Sequence, residues 1–107
     1  MMITINIYYK GENNNAYFFA KEMMASGIVN EIRKEDGNLR YEYYLPLEEN
    51  GEVLLIDSWR DSEALDKHHA SELMQKIAQL RDKYDLHMRV FKYEGITDNT
   101  DSKYIRK

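Results

Sequence analysis

Two hydrophobic periodicities alternate along this 107-residue chain, and their order constrains the fold more than any other feature. Apolar residues recur at every second position in four segments, as is typical of β-strands with one buried face. These segments are residues 3–9, 38–47, 52–59 and 86–94. Between them the apolar residues recur at three- and four-residue spacing, which predicts α-helices. The predicted order is therefore strand, helix, strand, strand, helix pair, strand.

This order predicts an α+β domain with a mainly antiparallel four-stranded sheet and helices on one face. Asn50-Gly51 lies between the second and third strand segments, and the dipeptide is a strong hairpin signal because both residues tolerate positive φ. Pro46 cannot donate a ladder hydrogen bond, so we expect that end of the second strand at an edge or a bulge. Both faces of the third strand are largely apolar, which predicts cover on both sides.

The first helical stretch follows Gly11, and the asparagines at 13–15 are candidate N-caps. Gly27 lies inside this stretch and costs about 1 kcal/mol relative to alanine, so a break in the helix is possible there. The charged segment 31–36, EIRKED, is predicted to be a solvated helix end. The apolar stripe expected to face the sheet comprises Ala16, Ala20, Met23, Met24, Ile28 and Ile32.

Asp61 or Ser62 is predicted to cap the first helix of the predicted helix pair. Ala64, Leu65 and His68 then share one face through their three- and four-residue spacing. Ser71 with Glu72 offers a new cap for the second helix of the pair, which is expected to end near residue 84. The inward stripe of this second helix is predicted to contain Leu73, Met74, Ile77, Leu80, Arg81 and Tyr84.

Composition narrows the class of protein. Fifteen Lys and Arg residues against nineteen Asp and Glu residues give a net charge of −4, which provides no basic face for nucleic acid or for an anionic membrane. The chain has no cysteine, which excludes disulfides, thiolate zinc sites and cysteine nucleophiles. The amino terminus lacks the charge and apolar run of a signal peptide, and no segment is apolar enough to span a bilayer. We therefore expect a cytoplasmic protein.

The chain has room for one domain, predicted at residues 1–95, followed by a polar tail at residues 96–107. Helices would cover one face of the sheet, while apolar side chains from several strands would stay exposed on the other. An exposed apolar face of this kind calls for a partner, and twofold self-association is the commonest solution. A homodimer is the expected assembly.

Residues 59–71, WRDSEALDKHHAS, contain the only tryptophan and two of the three histidines. Trp59 and His68 are compatible with plain core packing or with a pocket in which His68, with an ordinary pKa near 6.5, accepts a proton. Asn6 would be costly if buried without a hydrogen-bond partner, which makes it a third candidate. His68 and His69 are adjacent on a helix and point to different sides, so no metal site is expected.

The spacing of Trp59, Asp61, Ala64-Leu65, His68 and Ser71 resembles the signature of the antibiotic biosynthesis monooxygenase superfamily. The upstream segment DGNLRYEYYLPLEENGEVLLI is similar to the Gly-x-x-x-Tyr strand and hairpin of that family, and the resemblance covers about residues 2–94. It implies a dimeric ferredoxin-like α+β barrel with a pocket between sheet and helices. It also implies oxidation of a flat quinol or phenol by O₂ without metal, flavin or other cofactor.

The resemblance implies roles for individual residues. Trp59 would form a pocket wall, His68 would accept or share the substrate proton, and Asn6 or a tyrosine would anchor a polar group. The residues expected to contact the small aromatic substrate are Tyr41, Tyr43, Tyr44 and Leu65.

The chain also departs from the family pattern. Leu55 and Leu65 stand where polyketide-oxidising relatives have an asparagine and a tyrosine, and Ala78 and Gln79 stand where haem-degrading relatives have an axial histidine. Haem cleavage by that route is therefore not expected. A non-catalytic ligand-binding or stress-related dimer is the main alternative, and an isomerase is another, because fold alone does not decide function.

Overall fold

The computed structural model describes residues 1–95, and the tail predicted at 96–107 lies outside the described residues. The eight elements follow the predicted order. They are β1 (Ile3–Lys10), α1 (Asn15–Ala25), α2 (Ile28–Arg33), β2 (Asn38–Tyr44), β3 (Glu52–Trp59), α3 (Ser62–His69), α4 (Leu73–Lys83) and β4 (His87–Glu94).

The strands form one antiparallel sheet in the order β2-β3-β1-β4. The central strand β1 pairs along its whole length with β3 on one side and β4 on the other. The strand β2 is an edge, and Pro46 follows its end, where no ladder hydrogen bond is lost. The predicted α+β, ferredoxin-like fold with four antiparallel strands is confirmed.

The helices cover one face of this sheet and bury alternate residues of the central strands. Each such apolar side chain contributes about 1.5–3 kcal/mol through burial. From β1 and β3 the buried residues on this face are Ile3, Ile5, Ile7, Tyr9, Val53, Leu55, Asp57 and Trp59. The core therefore lies between the sheet and the four helices, as the alternation of the strands predicts.

The first helical stretch breaks at Gly27, whose φ of 87° ends α1 and begins α2. Phe19 is fully buried in α1 while Met24 is 45% exposed, so the prediction that Met24 belongs to the inward stripe is wrong. The predicted asparagine caps are also wrong. Asn14 precedes α1 with a left-handed φ of 66° and makes no side-chain capping bond, and Asn15 instead donates to the carbonyl oxygen of Tyr84.

A hairpin joins β2 to β3, as Asn50-Gly51 predicts. Its connection spans residues 45–51, because β2 ends at Tyr44, before the apolar and polar alternation does. Gly51 has a φ of 78°, whereas Asn50 is not in the left-handed region. The Asn50 side chain accepts a hydrogen bond from the Glu52 amide and so fixes the entry into β3.

The opposite side of the sheet, here called the open face, carries no helix among the described elements. Its members on β2 are Arg40, Glu42 and Tyr44, on β3 Leu54, Ile56 and Ser58, on β1 Thr4, Asn6 and Tyr8, and on β4 Arg89, Phe91 and Tyr93. Its centre is half-buried, while Phe91 and Tyr93 on β4 are exposed.

Within the described part of the chain, every helix is too short or too polar to cross a bilayer.

Candidate functional site

The helix α3 brings His68 onto the sheet, and both of its ends are fixed by side chains. Asp61 caps its start by accepting a hydrogen bond from the Ala64 amide at 2.9 Å, as predicted. Ser71 donates to the carbonyl oxygen of His68 at 2.7 Å, so it closes α3 rather than opening α4. The predicted cap of α4 is therefore wrong, and Glu72 makes no side-chain capping bond there.

Gly37 allows α3 to pack closely against the turn that precedes β2. Its φ is 87°, and a Cβ at this position would lie 2.5 Å from the Cβ of Ala64. Its carbonyl oxygen accepts a hydrogen bond from the amide of Arg60 at 2.8 Å. The turn between α2 and β2 is thereby held against the first turns of α3, which brings Glu35 to His68.

His68 is 3% exposed, and its Nδ1 lies 2.8 Å from Oε2 of Glu35. When Glu35 is ionised its carboxylate accepts from Nδ1–H, which leaves the lone pair on Nε2. Burial lowers the pKa of His68, although the hydrogen bond and charge of Glu35 raise it in part. The imidazole is thus held neutral near pH 7, with Nε2 as the basic atom.

The prediction that residues 31–36 form a solvated helix end is wrong at Glu35, whereas Arg33 is exposed as predicted. Glu35 is half-buried, and its second oxygen, Oε1, is buried without a hydrogen-bond partner among the described residues. Arg33 donates to the carbonyl oxygen of Tyr41 through Nε and Nη2, at 3.1 and 2.8 Å. Arg33 thereby ties the end of α2 to β2.

Trp59 lies behind His68 rather than on the cavity surface. Its indole is fully buried and stacks on the imidazole, with 4.6 Å between ring centroids and 28° between planes. Its Nε1–H donates to Oδ1 of Asp57 at 2.6 Å. The structure therefore brings Trp59 and His68 together as predicted, but corrects the predicted role of Trp59 as a pocket wall.

Asp57 is a buried carboxyl group beside this stack. It is 4% exposed, and burial raises its pKa to about 7, while the hydrogen bond from Trp59 partly opposes the rise. A group that titrates near neutral pH is suited to accept and return a proton. Asp57, which titrates near pH 7, and His68, whose pKa is lowered by burial, thus lie at one site.

A cavity of about 200 Å³ lies between the sheet and the α3–α4 pair. Its polar lining comprises Tyr41, Asp57, His68, His69 and Arg81. Its apolar lining comprises Ile5, Ile7, Leu55, Met74, Ile77, Met88 and Val90. His69 is exposed, as predicted, and lies at the edge of this cavity. The cavity thus combines apolar walls with the imidazole of His68, the carboxyl group of Asp57 and the guanidinium group of Arg81.

Arg81 provides the cation. Its Nε and Nη2 donate to the hydroxyl of Tyr9 at 3.2 and 2.8 Å, and its guanidinium carbon lies 5.5 Å from the centroid of that ring. Within residues 1–95, the carboxylates form eight ion pairs with Lys, Arg or His, and Arg81 takes part in none of them. Arg81 is thus held in position by a neutral hydroxyl group.

The predicted substrate contacts separate into two groups. Tyr41 lines the cavity, and its ring is 6.4 Å from that of His68. Tyr43 lies outside the cavity lining, where its ring contacts Phe19 and its buried hydroxyl lacks a hydrogen-bond partner of standard geometry among residues 1–95. Leu65 is on the buried side of α3 and does not line the cavity.

Asn6 and Tyr44 are on the open face, away from the cavity. Asn6 pairs across the ladder with Ile56 and Phe91, and the Tyr44 hydroxyl bonds to Arg40 and Glu42. The expectation that Asn6 or Tyr44 joins Trp59 and His68 is therefore corrected by the strand register, because successive residues of a strand point to opposite faces.

The sequence candidates omit four polar residues of the site, which are Glu35, Asp57, His69 and Arg81. Asp57 and Arg81 carry a detectable signal, because the alternation of residues 52–59 places Asp57 on the same face as Trp59, and Arg81 belongs to the predicted inward stripe. Glu35 carries no such local signal, since only the fold brings it to a histidine 33 residues later. Within residues 1–95, no group of three His, Asp or Glu side chains is placed to hold a metal ion.

Solved structures share this fold at low sequence identity. The protein Rv0793 of Mycobacterium tuberculosis superposes with a TM-score of 0.76 at 19% identity, covering 94% of this chain and 100% of that one. A Deinococcus radiodurans protein, provisionally described as an antibiotic biosynthesis monooxygenase, gives 0.73 at 19% identity over 92% and 95% of the two chains. A Nitrosomonas europaea protein with the same provisional description gives 0.77 at 11% identity over 90% and 91%.

The sequence itself identifies the family. No curated protein matches the chain significantly. The sequence profile of the antibiotic biosynthesis monooxygenase family matches residues 2–80, which include the buried Trp59–His68 pair and the Glu35 turn. The match covers most of the chain and agrees with the ferredoxin-like fold. This chain belongs to the antibiotic biosynthesis monooxygenase family.

Proposed function

We propose that this protein is a cofactor-independent monooxygenase that oxidises a small quinol or phenol with O₂. Membership of the family supports a monooxygenase-like function in general. The observation that carries the specific proposal is the Glu35–His68 pair, which presents a neutral imidazole to a cavity that Asp57 also lines. A phenol needs only to be positioned and deprotonated before it can donate an electron to O₂.

The size of the cavity favours a substrate with a single ring. Ligand pockets for drug-sized molecules are usually about 300–1,000 Å³, and this cavity is about 200 Å³. Tyr41 and the methyl groups of Ile5, Ile7 and Val90 offer apolar surface to the faces of such a ring.

The chemistry follows from the two titrating groups. Nε2 of His68 takes the phenolic proton, and the phenolate passes one electron to O₂, which gives a phenoxyl radical and superoxide. These radicals combine at the ring carbon para to the oxygen, and the imidazolium returns its proton to complete a hydroperoxide. Asp57 removes the proton from that carbon, and the O–O bond breaks. The departing hydroxide then takes this proton from Asp57 and leaves as water. One phenol and one O₂ give one quinone and one water.

Oxygen uptake tests the proposal. Single-ring phenols with a free para position are incubated with the protein, and incorporation of one atom from ¹⁸O₂ into the product is measured by mass spectrometry. We expect His68→Ala to lower kcat/KM by about 10²-fold, the lower end of general-base effects. His87→Ala is the matched control, because His87 is exposed on β4 and does not line the cavity.

The alternative is a protein that binds small ligands without turnover. Leu55 and Leu65 favour it, because apolar residues occupy the positions of two polar residues of polyketide-oxidising relatives, and both leucines are buried. Oxygen uptake at the buffer rate, together with quenching of Trp59 fluorescence by a phenol, would favour that alternative and refute the enzyme proposal.

We also infer that the protein is a homodimer that pairs through its open face. Leu54, Ile56 and Tyr8 leave a half-buried apolar centre there, and Phe91 and Tyr93 are 42% and 54% exposed. An exposed apolar patch that is bordered by polar residues is typical of an interface between proteins. Two copies related by a twofold axis would remove both faces from water.

A further inference from the structure

Arg81 has a position that the proposed oxidation does not explain. It occupies the inward side of α4, one turn beyond Ile77, and it lines the cavity with His68 and Asp57. Its side chain is half-buried, and no carboxylate among residues 1–95 lies within ion-pairing distance of it. A cation withdrawn from water without a counter-ion loses solvation, so proteins normally pair such a group.

The Tyr9 hydroxyl orients Arg81 without neutralising it. Nε and Nη2 both donate to that oxygen, which fixes the plane of the guanidinium group and leaves Nη1 outside this interaction. Tyr9 is itself fully buried and packs on Phe19, with ring centroids 4.9 Å apart, so this support is rigid. A guanidinium held in this way is pre-organised to bind a carboxylate, which its fork of N–H donors matches.

The other titrating carboxyl group of the cavity opposes an anion only in its ionised form. Asp57 is the carboxyl that shares the cavity with Arg81, and its pKa of about 7 means that it is largely protonated just below neutral pH. A protonated carboxyl group repels no anion and can donate a hydrogen bond. His68 lines the cavity, and its Nδ1 is paired with Glu35, which is not a lining residue. Its Nε2 can therefore bind a hydroxyl group of a ligand.

We propose that the cavity selects a single-ring hydroxyaromatic acid, whose carboxylate pairs with Arg81 and whose phenolic hydroxyl meets His68. This inference rests on the proposed function for the identity of the reacting hydroxyl, and it adds the anionic group that the substrate must carry. A ring with its hydroxyl and carboxylate meta to each other leaves the para carbon open to oxygen. The chemical class is that of 3-hydroxybenzoate.

Binding without turnover tests the inference. Under anaerobic conditions, 3-hydroxybenzoate and its uncharged analogue 3-hydroxybenzyl alcohol are titrated into the protein, and binding is measured by Trp59 fluorescence and by calorimetry. Trp59 is the only tryptophan of the chain, so the fluorescence reports on this site. We expect the acid to bind at least about tenfold more tightly than the alcohol, since bonds between two charged groups are about twice as strong as neutral ones.

Two variants of α4 make the test specific. Arg81→Gln removes the charge inside the cavity, whereas Lys76→Gln removes a charge from an exposed position of the same helix. We expect Arg81→Gln to weaken binding of the acid at least about tenfold and to leave the alcohol nearly unchanged. Lys76→Gln should alter neither. Circular dichroism of both variants verifies that the fold is retained, and Arg81→Lys serves as a second variant that keeps the charge.

The outcomes separate this inference from the proposed function. Equal affinity of the unmodified protein for the acid and the alcohol, or unchanged acid binding in a folded Arg81→Gln variant, overturns the inference. Binding of the acid that depends on Arg81 supports it even when oxygen uptake stays at the buffer rate, a result that would refute only the oxygenase proposal. Oxygen uptake with neutral phenols but no binding of the acid refutes only the inference.

Discussion

The imidazole of His68 lies nearly parallel to the indole of Trp59, at 4.6 Å between ring centroids, while the same indole donates its N–H to Asp57. The buried indole of Trp59 therefore fixes both the plane of the His68 imidazole and the position of the Asp57 carboxyl group. Trp59 acts on the cavity through these two neighbours, because it does not line the cavity itself. A substitution of Trp59 should thus be detectable as a change in the pKa of a neighbouring group.

Trp59→Phe should raise the pKa of Asp57 above its value of about 7, because the variant keeps an aromatic ring against His68 but removes the N–H that favours the charged carboxylate. The ¹³C chemical shift of the Asp57 carboxyl, followed by NMR across pH 5–9, measures the change. An Asp57 titration that stays in place or moves to lower pH would contradict this account. Tyr44→Phe, on the open face, is the control.

Asp57 should make the folded state less stable as pH rises. The folded protein holds this proton up to a pKa of about 7, whereas an unfolded aspartate has a pKa of about 3.9. The folded state therefore binds more protons between these values, and its free energy of unfolding falls as pH rises from about 4 to about 7, by as much as about 4 kcal/mol.

Asp57→Asn removes this titration while an amide oxygen can still accept from Trp59. Its stability relative to the unmodified protein should increase from pH 5 to pH 8, because His68 and the surface groups are common to both proteins. Urea unfolding at four pH values gives the difference directly. A difference that is constant with pH would show that Asp57 does not titrate in this range.

Gly37→Ala should destabilise the protein more than Gly27→Ala. Both glycines have a φ of 87°, so each substitution carries the left-handed strain of about 1–2 kcal/mol. Only at Gly37 does the new Cβ meet Ala64, at 2.5 Å, whereas at Gly27 it meets open space. The clash adds about 1–3 kcal/mol to the loss of unfolding free energy. Equal losses in chemical denaturation would mean that α3 does not depend on this close approach.

Phe91→Lys should shift the protein from dimer to monomer in analytical ultracentrifugation, because it places a charge on the apolar part of the open face. Phe18→Lys is the matched control, since Phe18 is similarly exposed, at 49%, but lies on α1. A monomer for the unmodified protein at micromolar concentration, or an unchanged dimer for Phe91→Lys, would refute pairing through this face.

Much of the fold follows from local pattern. The alternation Ile3, Ile5, Ile7 and Tyr9 predicts the buried side of β1, and the helical spacing of Leu65 and His68 predicts that both face inward. That same alternation places Asn6 on the other side of β1, so the strand period itself argues against grouping Asn6 with Trp59.

The remainder of the site depends on contacts between distant segments. Glu35 lies in a charged run that is typical of a solvated helix end, and its partner His68 belongs to another helix. Its position results from the short turn into β2 and from the absence of a side chain at Gly37. Such a contact is set by packing in three dimensions, and no periodicity in the sequence encodes it.

The strand β4 has β1 as its only neighbour among the described strands, and all eight of its residues are exposed. Its outer edge therefore presents amide and carbonyl groups that another chain could extend into a fibril. The residues between Met88 and Tyr93 would form an apolar, aromatic segment of high aggregation tendency but for the charges of Arg89 and Lys92. Charged side chains on an edge strand oppose such pairing between chains, and Arg89 is in addition held by Glu52 at 3.0 Å.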